Sequence, residues 1–211
     1  MSQYENSLFH NLMNGEFAAE GDLIQLITDE EDDASSKEAY GEEVPILSVR
    51  NTVLFPGVVI PITVGRQRSI RLVKKAQKGN KYIGVCAQIL PNQDDPNWED
   101  LYQVGTLAKI IKMIVLPDGN TTIIIQGKKR FAIREQVTDD PYFIAKVDYL
   151  EENFPKNSKK IKALEESLKD AATKILHLNP EIPREAQVAL DNIDNTAFLT
   201  HFLSSNINAP V

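Results

Sequence analysis

Hydrophobic and polar positions along the chain change their period twice. Residues 1–43 keep no period: short apolar groups (Leu8, Phe9, Leu12, Leu23, Ile24, Leu26, Ile27) give way to the run DEEDDASSKEAYGEE. From Val44 onward apolar residues alternate or cluster in strand-length runs bounded by turn residues. After EENFPKN the period lengthens to 3.6, with Ile161, Leu164, Leu168, Ala171, Ala172, Ile175 and Leu176 forming one helical stripe.

This pattern predicts elements in order. VPILSV and VVIPITV read as short strands, and RQRSIRLVKKAQKGN as a helix with Ile70, Val73 and Ala76 inward and Gly79 at its end. KYIGVCAQI is a strand, followed by the polar loop PNQDDPNWEDLY. GTLAKIIKMIVL and NTTIIIQ flank Pro117-Asp118-Gly119, a hairpin signal. KKRFAIREQ and YFIAKVDYL follow as further strands, with Phe143, Ala145, Val147 and Tyr149 on one face. Pro183 stands at a first helical position in PREAQVALDNI, and Asn195 is the expected N-cap of the last helix. The expected fold is α+β: a mixed, closed or nearly closed β-barrel with one helix, then a C-terminal three-helix subdomain. The boundaries are an acidic flexible arm at 1–43, the barrel at 44–153 and the helical subdomain at 157–209. The chain stops at NAPV without a capping element, which reads as a segment of a longer protein.

One stretch departs from strand grammar. RNTVLFPGVVIPITVGR sets Pro56, Gly57 and Pro61 inside the most apolar segment, and proline cannot donate to a ladder in the middle of a sheet. Two short strands joined by a turn at Pro56-Gly57, with Pro61 on an edge or bulge, would reconcile these features. Leu54 and Phe55 would then lie at a turn and be only partly buried.

Composition is that of a globular protein, at 42% hydrophobic and 25% charged residues, without an apolar run of membrane-spanning length. The net charge of −7 is unevenly divided. Residues 1–44 carry twelve acids and one Lys, a net of −11, whereas residues 45–211 carry 22 Lys and Arg against 18 acids, a net of +4. The single Cys86 cannot form an internal disulfide and sits in an apolar run, so it reads as a buried, inert thiol in a reducing compartment. The N-terminus has neither the apolar core of a secretion signal nor the Arg-rich, acid-poor character of a transit peptide. A cytoplasmic, bacterial location is expected by elimination.

Catalytic patterns are missing. His10, His177 and His201 lie in unrelated segments without zinc-ligand spacing, and there is neither a GxxxxGK[ST] phosphate loop nor a GxSxG elbow. The acidic pairs Asp94-Asp95, Glu99-Asp100 and Asp139-Asp140 sit beside prolines as turn formers. Two basic clusters remain: Arg66, Arg68, Arg71, Lys74 and Lys75 around the first helix, and Lys128, Lys129, Arg130 and Arg134 in a strand. Each is either a solvated face or a surface for acidic peptide. Nucleic acid is the second choice, because no interleaved aromatics suited to base stacking accompany them.

VPILSVRNTVLFPGVVIPITVGRQRSI, LYQVGTLAKI and LPDGNTTIIIQGKKRFAI, in this order, resemble the N-terminal domain of Lon, the ATP-dependent serine protease. The resemblance covers about residues 44–209. Ser48 departs from it by standing where the family tends to have a second leucine, and the acidic arm is longer than usual. The resemblance implies a six-stranded PUA-like barrel and a helical subdomain that capture unfolded, damaged or tagged proteins and support a hexamer. It implies ATP and Mg for the full-length enzyme, whose AAA+ and protease domains lie downstream, and no cofactor in this segment.

Leu54, Phe55 and Val58 then become candidates for apolar contact with an extended substrate chain, with a purely structural turn as the alternative. Arg66, Arg68 and Arg71 are expected to serve recognition rather than stability. Two rival readings stay open: a free-standing Lon-type scaffold or adaptor, and a PUA-like RNA-binding module.

Overall fold

The computed structural model describes residues 40–115, 121–153, 158–178, 190–207 and 211. Two compact units part between Glu151 and Glu152. Residues 1–39 of the expected arm, the tip at Pro117-Asp118-Gly119 and the helix start at Pro183 lie outside the described residues.

The first unit is a six-stranded mixed sheet. Its strands are β1 (Glu43–Val49), β2 (Val59–Val64), β3 (Tyr82–Ala87), β4 (Val104–Val115), β5 (Thr121–Thr138) and β6 (Ile144–Tyr149). Helix α1 (Gln67–Lys78) connects β2 to β3. The strand order is β2-β5-β4-β3-β1-β6, and a further β5–β6 pairing joins five strands in a closed cycle with β2 added to the first half of β5. Only β1 and β3 run parallel. Val115 and Thr121 pair across the hairpin expected from Asp118-Gly119.

The core gathers where the cycle closes. Val44, Ile46, Cys86, Leu101, Leu107, Phe131, Phe143, Ala145 and Val147 form one buried cluster. The face expected of β6 is therefore the core face, with Tyr149 packed at its margin. Burial pushes the Cys86 thiol up to about 12, so it stays protonated and inert.

The structure amends four expectations. NTTIIIQ and KKRFAIREQ are one 18-residue strand, because Gly127 between them is a point of close backbone approach rather than a breaker. Val53 to Phe55 do not form a strand. The inward stripe of α1 is Ser69, Leu72, Val73 and Ala76, with Ile70 half-buried. Finally, residues 40–43 belong to the sheet unit rather than the arm. Tyr40 packs on Tyr82 and Tyr149 at 5.5 Å between ring centroids, Tyr149 Oη donates to the Gly41 carbonyl (2.9 Å), and Val147 N–H donates to the Glu42 carbonyl (3.0 Å).

The second unit holds α2 (Lys159–Leu178) and α3 (Thr196–Ser205). The Asn195 side chain accepts from Phe198 N–H at 3.0 Å, which satisfies one of the orphan donors of the α3 N-terminus. Leu190, Ile193, Phe198 and Leu199 are buried. The Glu165 carboxylate accepts from Thr196 Oγ1 at 3.0 Å, tying α2 to α3. No described residue of α2 is fully buried; Leu164, Leu168 and Ile175 of its apolar stripe are exposed, as is Leu178. Among the described residues no helix is long and apolar enough to cross a membrane.

Candidate functional site

Pro56-Gly57 forms a turn held from three sides. Val58 N–H donates to the Phe55 carbonyl (3.2 Å), with proline second and Gly57 third at φ 78°, the pattern of a type II turn. Gly57 N–H donates to the Gly127 carbonyl (2.8 Å), and Gly127 N–H donates to the Val58 carbonyl (2.9 Å). Gly57 and Val58 thus both oppose Gly127, a bulge that starts with glycine in the left-handed region. The Thr106 hydroxyl donates to the Leu54 carbonyl at 2.7 Å, so this stretch needs no ladder of its own.

That bulge sets the phase of β2. With Val58 and Gly127 a bonded pair, antiparallel alternation directs Ile60, Ile62 and Val64 toward β5 and turns the backbone groups of Val59, Pro61 and Thr63 to the other edge. Pro61 therefore sits on the edge of β2 that pairs with no strand among the described residues, where its missing N–H removes no bond to β5. The expectation of an edge proline holds.

The six expected contact residues divide. Leu54 and Val58 are buried, and Phe55 is half-buried, so the apolar part of the turn mainly faces the core. The structural-turn alternative fits Leu54 and Val58. Arg71 is exposed on α1. Arg66 and Arg68 point to the loop after β3, and Arg66 binds it tightly. Its guanidinium donates to Gln88 Oε1 (2.7 Å), Ser48 Oγ (3.0 Å) and the Gln93 carbonyl (3.2 Å). Arg68 lies over the Phe143 ring at 4.8 Å and 3.9 Å from Asp95. The expectation that all three arginines serve recognition alone fails at Arg66, which joins β1, β3 and the loop.

Sequence reading missed the partners of Arg66. Gln88 is almost fully buried at the end of β3, and its Nε2 donates to the Gln93 carbonyl at 3.0 Å. The available signal was an amide inside the apolar run YIGVCAQI. Ser48 supplies a hydroxyl acceptor. Burial first, and the neighbouring Arg50 second, hold the Arg66 guanidinium below its ordinary pKa.

Around Arg66 lies a cavity of about 490 Å³, walled by residues 47–50 and 52, residues 61–64, and Gly65, Arg66 and Ser69 at the start of α1. A smaller one of about 280 Å³ lies beside Tyr40, Tyr82 and Tyr149. The other basic cluster is partly neutralised: Lys129 pairs with Glu151 at 2.6 Å, and Arg134 pairs with Asp148 (2.9 Å) and Glu42 (3.2 Å). Among the described residues no three His, Cys, Asp or Glu side chains gather as a metal site.

Fold and cavity define an α+β domain with a helical unit, whose larger polar site is built from cations, hydroxyls and a strand edge. The family described as the ATP-dependent protease La (LON) substrate-binding domain matches residues 43–211, and the chain belongs to it. It is 60% identical over 189 residues to the Lon protease of Cytophaga hutchinsonii, covering 89% of this chain and 23% of that protein. It is 43% identical over 212 residues to the Lon protease of Flavobacterium johnsoniae, covering 100% of this chain and 26% of that protein. The chain thus spans about a quarter of the length of these relatives. Among solved structures it resembles the N-terminal domain of a Mycobacterium avium complex Lon protease (TM-score 0.59, 21% identity, 76% of this chain and 80% of that one). It also resembles a Lon N-terminal domain protein from Xanthomonas campestris (TM-score 0.51, 18% identity, 77% and 96%). At these identities the likeness concerns the fold.

Proposed function

We propose that this chain is the non-catalytic, substrate-recruiting segment of a cytoplasmic bacterial ATP-dependent serine protease of the Lon type. It holds unfolded, damaged or tagged proteins for degradation by ATPase and protease domains elsewhere in the full-length protein. The observation that carries this reading is the 60% identity to a Lon protease across 89% of the chain. The closed strand cycle supports reading the sheet as a PUA-like barrel. The exposed apolar residues Leu164, Leu168, Ile175 and Leu178 support a role for α2 in ordering neighbouring copies into a hexamer, because apolar area of this kind gains from being covered.

The test is photocrosslinking from position 71 and, separately, position 55 to a permanently unfolded protein, with its folded counterpart as control. Crosslinks to the unfolded form alone are expected. Equal labelling of both forms would refute the reading. A steep log–log salt dependence of RNA binding, without capture of unfolded protein, would favour the nucleic-acid alternative.

A further inference from the structure

The 490 Å³ cavity beside Arg66 has features that a structural role leaves unused. Arg50 pairs with Asp94 at 2.7 Å, and Arg68 has Asp95 at 3.9 Å. Arg66 between them bonds three neutral acceptors, so the three cations and two loop carboxylates leave one positive charge at a half-buried position. The same cavity receives the N-terminus of α1, a twelve-residue helix with no side-chain cap and no acidic residue in its first turn. Its leading N–H groups and dipole favour an anion. Ser69, in that first turn, is only 8% exposed, lines the cavity, and among the described residues its hydroxyl has no hydrogen-bond partner. A hydroxyl that opens onto the cavity without a partner among the described residues is free to donate to or accept from an occupant there.

The opposite wall identifies the chemistry of the occupant. It is the outer edge of β2, where the Thr63 N–H and C=O and the Pro61 C=O face away from β5. Backbone groups along a strand edge that find no partner among the described residues are matched by another extended polypeptide, whereas inorganic phosphate would leave them unmatched.

We infer that this cavity binds an extended polypeptide laid along β2, with a peptide carboxylate held by Arg66, the Ser69 hydroxyl and the first N–H groups of α1. The carboxylate comes from a chain terminus or from an Asp or Glu side chain. This deepens the proposed substrate-recruiting role and rests on it.

The test uses the 211-residue chain and three fluorescent peptides of one unstructured, apolar sequence. One has a free C-terminal carboxylate and no Asp or Glu, one is its C-terminal amide, and one is the amide with an internal Glu. Anisotropy titrations should give at least tenfold tighter binding, about 1.4 kcal/mol, for one or both carboxylate peptides over the neutral amide. The free-acid and Glu forms separate the two sources. Ser69→Asp places a carboxylate in the site at a helix position that favours one, so the variant should stay folded and lose the preference. Lys78→Ala, at an exposed cation in the last turn of α1, should retain it.

Equal affinity for all three peptides would overturn the inference, as would an unchanged preference in a folded Ser69→Asp variant. So would displacement of the carboxylate peptides by inorganic phosphate at equal concentration. Crosslinking to unfolded protein alongside any of these results would leave the recruiting role standing. Absence of that crosslinking would remove the role itself.

Discussion

The carbonyl of Phe55 occupies the space in which a side chain on Gly127 would begin. This contact seats the Pro56-Gly57 turn on β5, and the flanking bonds between Gly57, Val58 and Gly127 fix the phase of β2. Gly127→Ala would force apart two backbones that also share hydrogen bonds. Overpacking typically costs about 1–3 kcal/mol, and backbone against backbone belongs at the upper end. Urea denaturation should show a midpoint well below wild type with an unchanged m-value. An unaltered midpoint would mean that the turn does not rest on Gly127.

Arg66 and Arg71 should separate in the same assay. Removing the Arg66 side chain leaves the nearly buried Gln88 Oε1 and the Ser48 hydroxyl without their guanidinium partner. An unsatisfied buried polar group costs roughly 1–3 kcal/mol, whereas a surface side chain outside such networks usually changes stability by within about 0.5 kcal/mol. Arg66→Ala should therefore lower the urea midpoint, and Arg71→Ala should leave it in place. Equal effects would contradict the role of Arg66 in joining β1, β3 and the loop.

Cys86 gives the fold a specific alkaline weakness. Its folded pKa is raised to about 12 by burial, against 9.0 for an unburied thiol. Between these values the unfolded chain has released the proton and the folded chain retains it, so stability is full below pH 9 and falls as pH rises toward 12. The slope from one proton reaches at most about 1.4 kcal/mol per pH unit. The wild type should lose stability faster than Cys86→Ala between pH 9 and 11, measured as the difference between their urea midpoints. Parallel curves would show the thiol exposed or already ionised.

The strands were legible because a period of two survives in short windows, and Asp118-Gly119 marked the hairpin without tertiary information. Pro61 was legible as an edge residue because its missing N–H excludes a central place. Gly127 was not: locally it resembles a breaker, and only the Phe55 carbonyl arriving from 72 positions earlier explains it. Arg66 looked like one of five surface cations because its acceptors lie 18 to 27 residues away. Ser69 gave no signal at all. Its significance comes from burial on α1 beside a cavity assembled by two separate segments, residues 47–52 and 61–69.

The acidic residues preceding the sheet should compete for the cationic cavity. Residues 1–39 carry ten acids and one Lys, a net of −9, tethered to a remainder with 22 Lys and Arg against 20 acids, a net of +2. Tethering supplies a millimolar-scale effective concentration, enough to make weak carboxylate contacts significant. The LIQLI run at residues 23–27 adds apolar content like that of an unfolded client. Much of the attraction reaches through solvent and is screened within about 10 Å at ~0.1 M salt. Deletion of residues 1–38 spares Tyr40 and the Gly41 and Glu42 contacts, so the sheet unit should remain folded. Affinity for an acidic unfolded client should rise at low salt, and the gain should shrink as salt increases. Equal affinity of the two forms at low salt would eliminate competition by the arm, and loss of the cooperative unfolding transition would show that residues 1–38 are needed for the fold.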